Sequence, residues 1–243
     1  MNRESVLTKL ASFDTPTVCN VIELFEIRPR NAGYVKDATI HCNYPAMPPI
    51  VGYAATSVAR STYAPTRDDS ASYSWLEEQI ERFNELSGPP IVVIEDLDTP
   101  KIAAMFGEIM CTSYKIFGAK GLITNGAGRD IGQVEAMGGF QLYTNGEISS
   151  HAYFQLVDLY LPVEIGGLII HTDDLLHADR NGITQIPKEI ASEVADACDV
   201  FLESERIFLE VINKPNVSLK QFKEARAASK AMQKQLRDQL ARV

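Results

Sequence analysis

Glu108, Arg129 and Asp130 are the residues of this chain whose types and spacing point to chemistry. Glu108 follows Gly107 at the head of GEIMCTSYKIFGAKG (107–121), and twenty residues separate it from Arg129. Arg129 and Asp130 stand side by side in LITNGAGRDIG (122–132), where a short apolar run opens into a glycine-punctuated turn. A guanidinium offers a permanent cation whose planar fork holds two carboxylate oxygens at once. Two carboxylates offer hard oxygen ligands for Mg²⁺ or Mn²⁺, ions that keep several waters. A helix start at 107–110 adds unpaired N–H groups and a partial positive charge. Such a set suits a 2-oxo acid: the cation polarises the keto oxygen, and Arg129 steadies the enolate charge when the neighbouring C–C bond breaks. The candidates are therefore Arg129, Asp130 and Glu108 for catalysis and Asp130 and Glu108 for metal. Gly107, Glu108, Ile109, Met110 and Arg129 are the candidates for substrate binding.

The same turn admits other readings. Gly126, Gly128 and Gly132 spell GxGxxxG between a strand and a helix, as a nucleotide loop would, and a methyltransferase reading has only this support. The third glycine is misplaced for GxGxxG, since position 131 is Ile, and Asp130 would set a negative charge against a pyrophosphate. A solvated turn with Asp130 as N-cap of the next helix explains half of the motif without chemistry. On the residues alone, that reading and the carboxylate–metal reading both stand. Nothing spells a zinc site, and no lysine is singled out for a Schiff base.

One helix, one turn and one strand link Glu108 to Arg129, so a βαβ return would bring helix start and strand end to one sheet edge. The flanking pattern supplies such a sheet. TPTVCNVIELF reads as a helix capped by Thr15 with Pro16 at its first position. VGYAATSVAR (51–60) and PPIVVIED (89–96) read as packed strands, and Ser74 and Glu77 form a capping-box signature before WLEEQIERFNEL. GLIT, GRDIGQVEAMGG and FQLYTNG read as strand, short helix and strand. LPVEIGGLIIHTDDLLHADRNGITQIP holds several short strands, and helices are expected over about 188–212 and 218–242. The last carries Phe222, Ala225, Ser229, Met232, Leu236 and Leu240 at three-four spacing, a seam for its own domain or for a neighbouring subunit. Layered α/β or α+β is expected, rather than a pure Rossmann sheet.

Composition narrows the function classes. The chain has 243 residues, a net charge of −9 and four scattered cysteines. The charge argues against general nucleic-acid binding. Cys19, Cys42, Cys111 and Cys198 form no CxxC pair and fit reduced thiols. No apolar run suits a bilayer span or a signal core, so a cytoplasmic protein without membrane or nucleic-acid partners is expected. His151 and His177 have side chains suited to proton transfer. A hydrogen-bonded structural role is the ordinary expectation for each, and neither is assigned to catalysis. Asp173, Asp174 and Asp179 read as turn residues.

GEIMCTSYKIFGAKGLITNGAGRD resembles the helix-to-strand signature of the family that includes 4-hydroxy-4-methyl-2-oxoglutarate aldolase (HMG/CHA aldolase) and the type A regulator of ribonuclease E activity. That signature is an acidic residue, twenty spacers and Arg-Asp, with glycines where Gly118, Gly121 and Gly126 stand. DDLLHADRNGITQIP is similar to the family's terminal strands at Asp174, Asp179, Gly182 and Pro187. TPTVCNVIE and PPIVGYAATSVAR are similar to its opening helix and first core strand, so the resemblance covers about residues 10–190. It implies a layered β/β/α fold of the swivelling, phosphohistidine-domain type over 1–190, with a helical extension, 191–243, packing in the oligomer.

The resemblance also implies homotrimers or homohexamers with sites at subunit interfaces, Mg²⁺ or Mn²⁺ at Asp130, and Glu108 acting through water. Pyruvate enolate would be bound by Arg129 and the 107–110 backbone. The implied activity is that of a class II pyruvate aldolase cleaving 4-hydroxy-2-oxo acids, with oxaloacetate decarboxylation through the same enolate. The alternative is a non-enzymatic regulator of an RNA-processing enzyme. HTDD replaces the family's usual Pro-Gly-Asp, and Asn20 stands where many members have Asp, departures that bear on substrate and assembly. In the aldolases a neighbouring subunit's carboxylate helps to hold the metal waters, and Glu203, Glu205 and Glu210 are candidates for that group.

Overall fold

The computed structural model describes residues 2–64 and 72–241. Two compact units emerge, one of residues 33–188 and one of residues 1–32 with 189–243.

The 33–188 unit is built on one sheet. Its strands are β1 (His41–Cys42), β2 (Ile50–Arg60), β3 (Pro90–Asp96), β4 (Gly121–Thr124), β5 (Gln141–Thr144), β6 (Gln155–Leu159), β9 (Leu175–Asp179) and β10 (Gly182–Ile186). They follow the order β1-β5-β4-β3-β2-β9-β10, with β6 also paired to β2. A further hairpin, β7 (Val163–Ile165) and β8 (Leu168–Ile170), stands apart. β2 to β5 are parallel neighbours, whereas β9 runs antiparallel to β2. Parallel strands need crossovers, which α4 (Glu108–Ile116) and α5 (Ile131–Met137) supply.

Both faces of this sheet are covered, so β3 is a nearly continuous β-branched run rather than an alternating one. Val92 and Ile94 pack with Ala55, Leu122 and Leu142 against helical residues such as Leu76, Tyr114 and Val134. Ile91 and Val93 pack with Ala54, Ile123 and Tyr143 against Val163, Ile165, Leu168 and Ile170 of the β7–β8 hairpin. This is the β/β/α layering that the family resemblance implies. The expected helix at WLEEQIERFNEL is α3 (Ser72–Glu81), followed by a 3-10 turn over Arg82–Glu85. Ser74 falls within the helix, and its side chain lies outside the described residues.

The second unit is helical: α1 (Arg3–Leu10), α2 (Thr15–Leu24), α6 (Ala191–Ile212) and α7 (Leu219–Leu240). Asp14 rather than Thr15 caps α2, accepting from Thr17 N at 2.8 Å, which makes Pro16 the second helical residue. α6 and α7 form an antiparallel pair: Phe208 meets Phe222 edge to face at 5.2 Å, and Gln233 Nε2 donates to Ser204 Oγ at 3.1 Å. Ala225, Ser229 and Leu236 are buried, so much of the α7 seam is used within the chain. Arg206 holds both Glu203 and Glu210 in ion pairs on α6. Burial, and then Asp14, push the Glu205 carboxyl up. No disulfide joins the cysteines among the described residues, and no described helix is long and apolar enough to cross a membrane.

Candidate active site

α4 begins behind a glycine that has no side chain to cap it. The backbone of Gly107 is extended, and no side chain of the capping residue serves the first-turn N–H groups of α4. A Cβ at Gly107 would lie 2.7 Å from Asp130 Oδ2 and 3.0 Å from Arg129 Nε. Glycine here lets both candidate side chains close over the helix start.

Backbone pairing brings the NGAGRD turn to that place. Met105 N donates to Ala127 O at 2.8 Å, Gly128 N to Gly146 O at 3.0 Å, and Arg129 N to Phe106 O at 3.3 Å. A Cβ at Gly128 would fall 2.1 Å from the Phe106 ring, so only glycine lets the chain cross that ring closely enough to seat Arg129 beside Gly107. Gly126 packs against Asp96, a buried carboxyl whose Oδ2 has no hydrogen-bond partner among the described residues and which burial pushes up. Lys101 Nζ lies 4.0 Å from that oxygen.

Asp130 bears on both readings of its turn. It sits at the N-cap position of α5, and its carbonyl accepts from Val134 N at 3.0 Å. Its side chain, however, makes no cap to α5. A left-handed backbone (φ 58°), which Asp tolerates better than most residues, belongs to this residue. Oδ2 accepts from Glu108 N at 2.9 Å, tying the turn to the start of α4. Arg129 Nε lies 3.8 Å from the same oxygen, and this buried N–H has no hydrogen-bond partner among the described residues. The cap expected of a plain solvated turn is not made.

A pocket of about 370 Å³ opens at this point. Its lining includes all six residues singled out for binding and catalysis: Gly107, Glu108, Ile109, Met110, Arg129 and Asp130. Met105, Phe106, Phe154 and Leu156 form an apolar wall. His151, set aside in the sequence, also lines it, whereas His177 is fully buried in β9. Asp173 and Asp174 serve the turn before β9, binding Ser87 and Gln185 respectively, and Asp179 shapes the β9–β10 turn through Asn181. Among the described residues no three His, Cys, Asp or Glu side chains gather as a metal-binding group.

The sequence profile of the RraA-like family, described as Aldolase/RraA, matches residues 15–184. The chain belongs to the RraA-like family. Among curated relatives, it is 28% identical over 103 residues to a protein of Halalkalibacterium halodurans named "Putative 4-hydroxy-4-methyl-2-oxoglutarate aldolase". That match takes in 42% of this chain and spans about half (49%) of the relative. An uncharacterized protein from Pseudomonas syringae shares the fold at a TM-score of 0.70 and 22% identity, over 93% of this chain and 94% of the other. Streptomyces coelicolor RraAS2, described as an unusual member of the RNase ES inhibitor RraA protein family, does so at 0.65 and 21%, over 83% and 94%. This RraA-like chain thus has relatives named for an enzyme and for an inhibitor, and its own side chains must carry the distinction.

Proposed function

We propose that this RraA-like protein is a divalent-metal-dependent carbon–carbon lyase that releases pyruvate from 4-hydroxy-2-oxo acids and decarboxylates oxaloacetate. The observation that carries the reading is the convergence on the start of α4 of Asp130, which accepts from Glu108 N, and Arg129, whose buried Nε has no hydrogen-bond partner among the described residues. A positive helix end beside a guanidinium is a receptor for a carboxylate. The curated relative's name supports the same class of chemistry.

The donor set suits Mg²⁺ or Mn²⁺. Two carboxylates, Asp130 and Glu108, line the pocket, and such ions need only one or two with waters completing the shell. Asp130 would hold the ion and Glu108 its waters; when bound, the ion supplies Lewis acidity at the keto oxygen. Arg129 binds the substrate carboxylate and offsets the negative charge that grows as the C–C bond breaks. The N–H groups of Ile109 and Met110 orient the same carboxylate, and the wall of Phe106, Phe154 and Leu156 limits water. Asp130, fixed by Glu108 N, keeps Arg129 in register with the helix start.

A homotrimeric or homohexameric, cytoplasmic protein accompanies this reading. Ile109, Ile116 and Phe117, exposed along α4, support burial against another copy. Calorimetric titration with oxalate, a mimic of the pyruvate enolate, tests the site. Binding is expected only with Mg²⁺ or Mn²⁺ present, and to be lost in Asp130→Asn. Absence of cation-dependent binding would favour a non-catalytic regulator.

A further inference from the structure

We propose that His151 is the base that takes the proton from the 4-hydroxyl of the substrate during aldol cleavage. The inference rests on the lyase reading above and names a group which that reading leaves open. Aldol cleavage needs such a base, whereas the residues already assigned are engaged: Arg129 with the substrate carboxylate, Asp130 and Glu108 with the cation. Among the described residues, His151 is the remaining ionisable residue of the pocket lining.

Three observations point to it. First, its loop is tied to both segments that build the site. Ser150 O accepts from Ala104 N at 2.8 Å, three residues before Gly107, and Ile148 N donates to Gly128 O at 2.9 Å, one residue before Arg129. Second, His151 Nδ1 lies 2.8 Å from Ala152 O. A carbonyl only accepts, so Nδ1 carries the hydrogen and Nε2 is left as the basic nitrogen of the neutral ring. Third, the turn that presents the ring is over-determined. Ala152 takes a left-handed backbone (φ 42°), unfavourable for alanine, while its N–H bonds Ser150 Oγ at 3.0 Å and Phe154 N bonds His151 O at 2.9 Å.

In the step, the O–H bond of the 4-hydroxyl breaks and its proton passes to Nε2. A carbonyl forms at C4, the C3–C4 bond breaks, and its electron pair enters the enolate of the pyruvate half. The enolate takes a proton at C3 from water, and the solvent-exposed imidazolium returns its own to water. Decarboxylation of oxaloacetate forms the same enolate without any hydroxyl to deprotonate, so it does not need His151.

That difference provides the test. His151→Gln and His151→Ala are compared with the unmodified Mn²⁺-loaded protein on 4-hydroxy-4-methyl-2-oxoglutarate and on oxaloacetate, with oxalate affinity measured by calorimetry. Cleavage is expected to fall by about 100-fold or more in kcat, the usual span for a lost general base, while decarboxylation changes less than about threefold and oxalate affinity is unchanged. Unchanged cleavage, or parallel loss of both reactions, overturns the role of His151 alone. An unmodified protein that releases pyruvate from neither substrate overturns the lyase reading, and this inference with it.

Discussion

At the scale of single residues, the site depends on what is missing as much as on what is charged. Gly107 has no Cβ, and the space it leaves is filled by Asp130 Oδ2 and Arg129 Nε. Gly107→Ala should therefore injure the site more than the fold, because a methyl group 2.7 Å from a carboxylate oxygen must displace it. Oxalate affinity in the presence of Mn²⁺ is expected to fall by about tenfold or more, roughly the loss of one charged hydrogen bond. The thermal midpoint should move by only a few degrees, and unchanged affinity would show that the two side chains are free to relax away. The meeting of Glu108, Arg129 and Asp130 was legible in the sequence because spacing across a helix and strand predicts where the two ends meet. The turn of the Asp130 side chain back to Glu108 N was not, since Asp at a helix start reads as a cap unless the neighbouring backbone is known. His151 was equally hidden. Its place in the pocket depends on backbone pairing of Ser150 with Ala104, which no local pattern encodes.

At the scale of elements, strands with strong patterns and helices with caps were readable, and those shaped by irregular pairing were not. β6 eluded the pattern because its register against β2 shifts between Val58 and Ala59, breaking the alternation that marks a strand. α1 is eight residues long, with Val6, Leu7 and Leu10 buried, too short to show a convincing period. The acidic pair before β9 is a structural clamp. Burial alone would raise the Asp173 carboxyl, but hydrogen bonds from Lys188 and Ser87 outweigh it and hold the group below the ordinary carboxylate value. A depressed folded value means that its stabilisation is present above the unfolded value, about 3.9, and is lost as pH falls through the folded one. Asp173→Asn is thus expected to destabilise by about 1–2 kcal/mol at pH 7, with the gap to the parent closing as pH falls below about 4. Thermal melts across that range check it, and a gap that does not narrow would assign the effect to shape rather than charge.

At the scale of the whole molecule, the RraA-like fold allows either an enzyme or a regulator, so the fold leaves the function open. The proposed assembly draws its support from surface chemistry. Ile109, Ile116 and Phe117 are 68%, 71% and 58% exposed on and just after α4. Light scattering on the eluting protein is expected to give three or six times the 26.9 kDa chain mass, and a monomer would contradict the proposed oligomer. The central claim is that Arg129 and Asp130 form a pyruvate-generating centre. Pyruvate release from 4-hydroxy-4-methyl-2-oxoglutarate and oxaloacetate, followed with and without Mn²⁺, tests it most directly. Release that requires the cation and vanishes in both Arg129→Ala and Asp130→Ala, with their folds intact by circular dichroism, is the expected result. Release that persists in both variants would contradict the account.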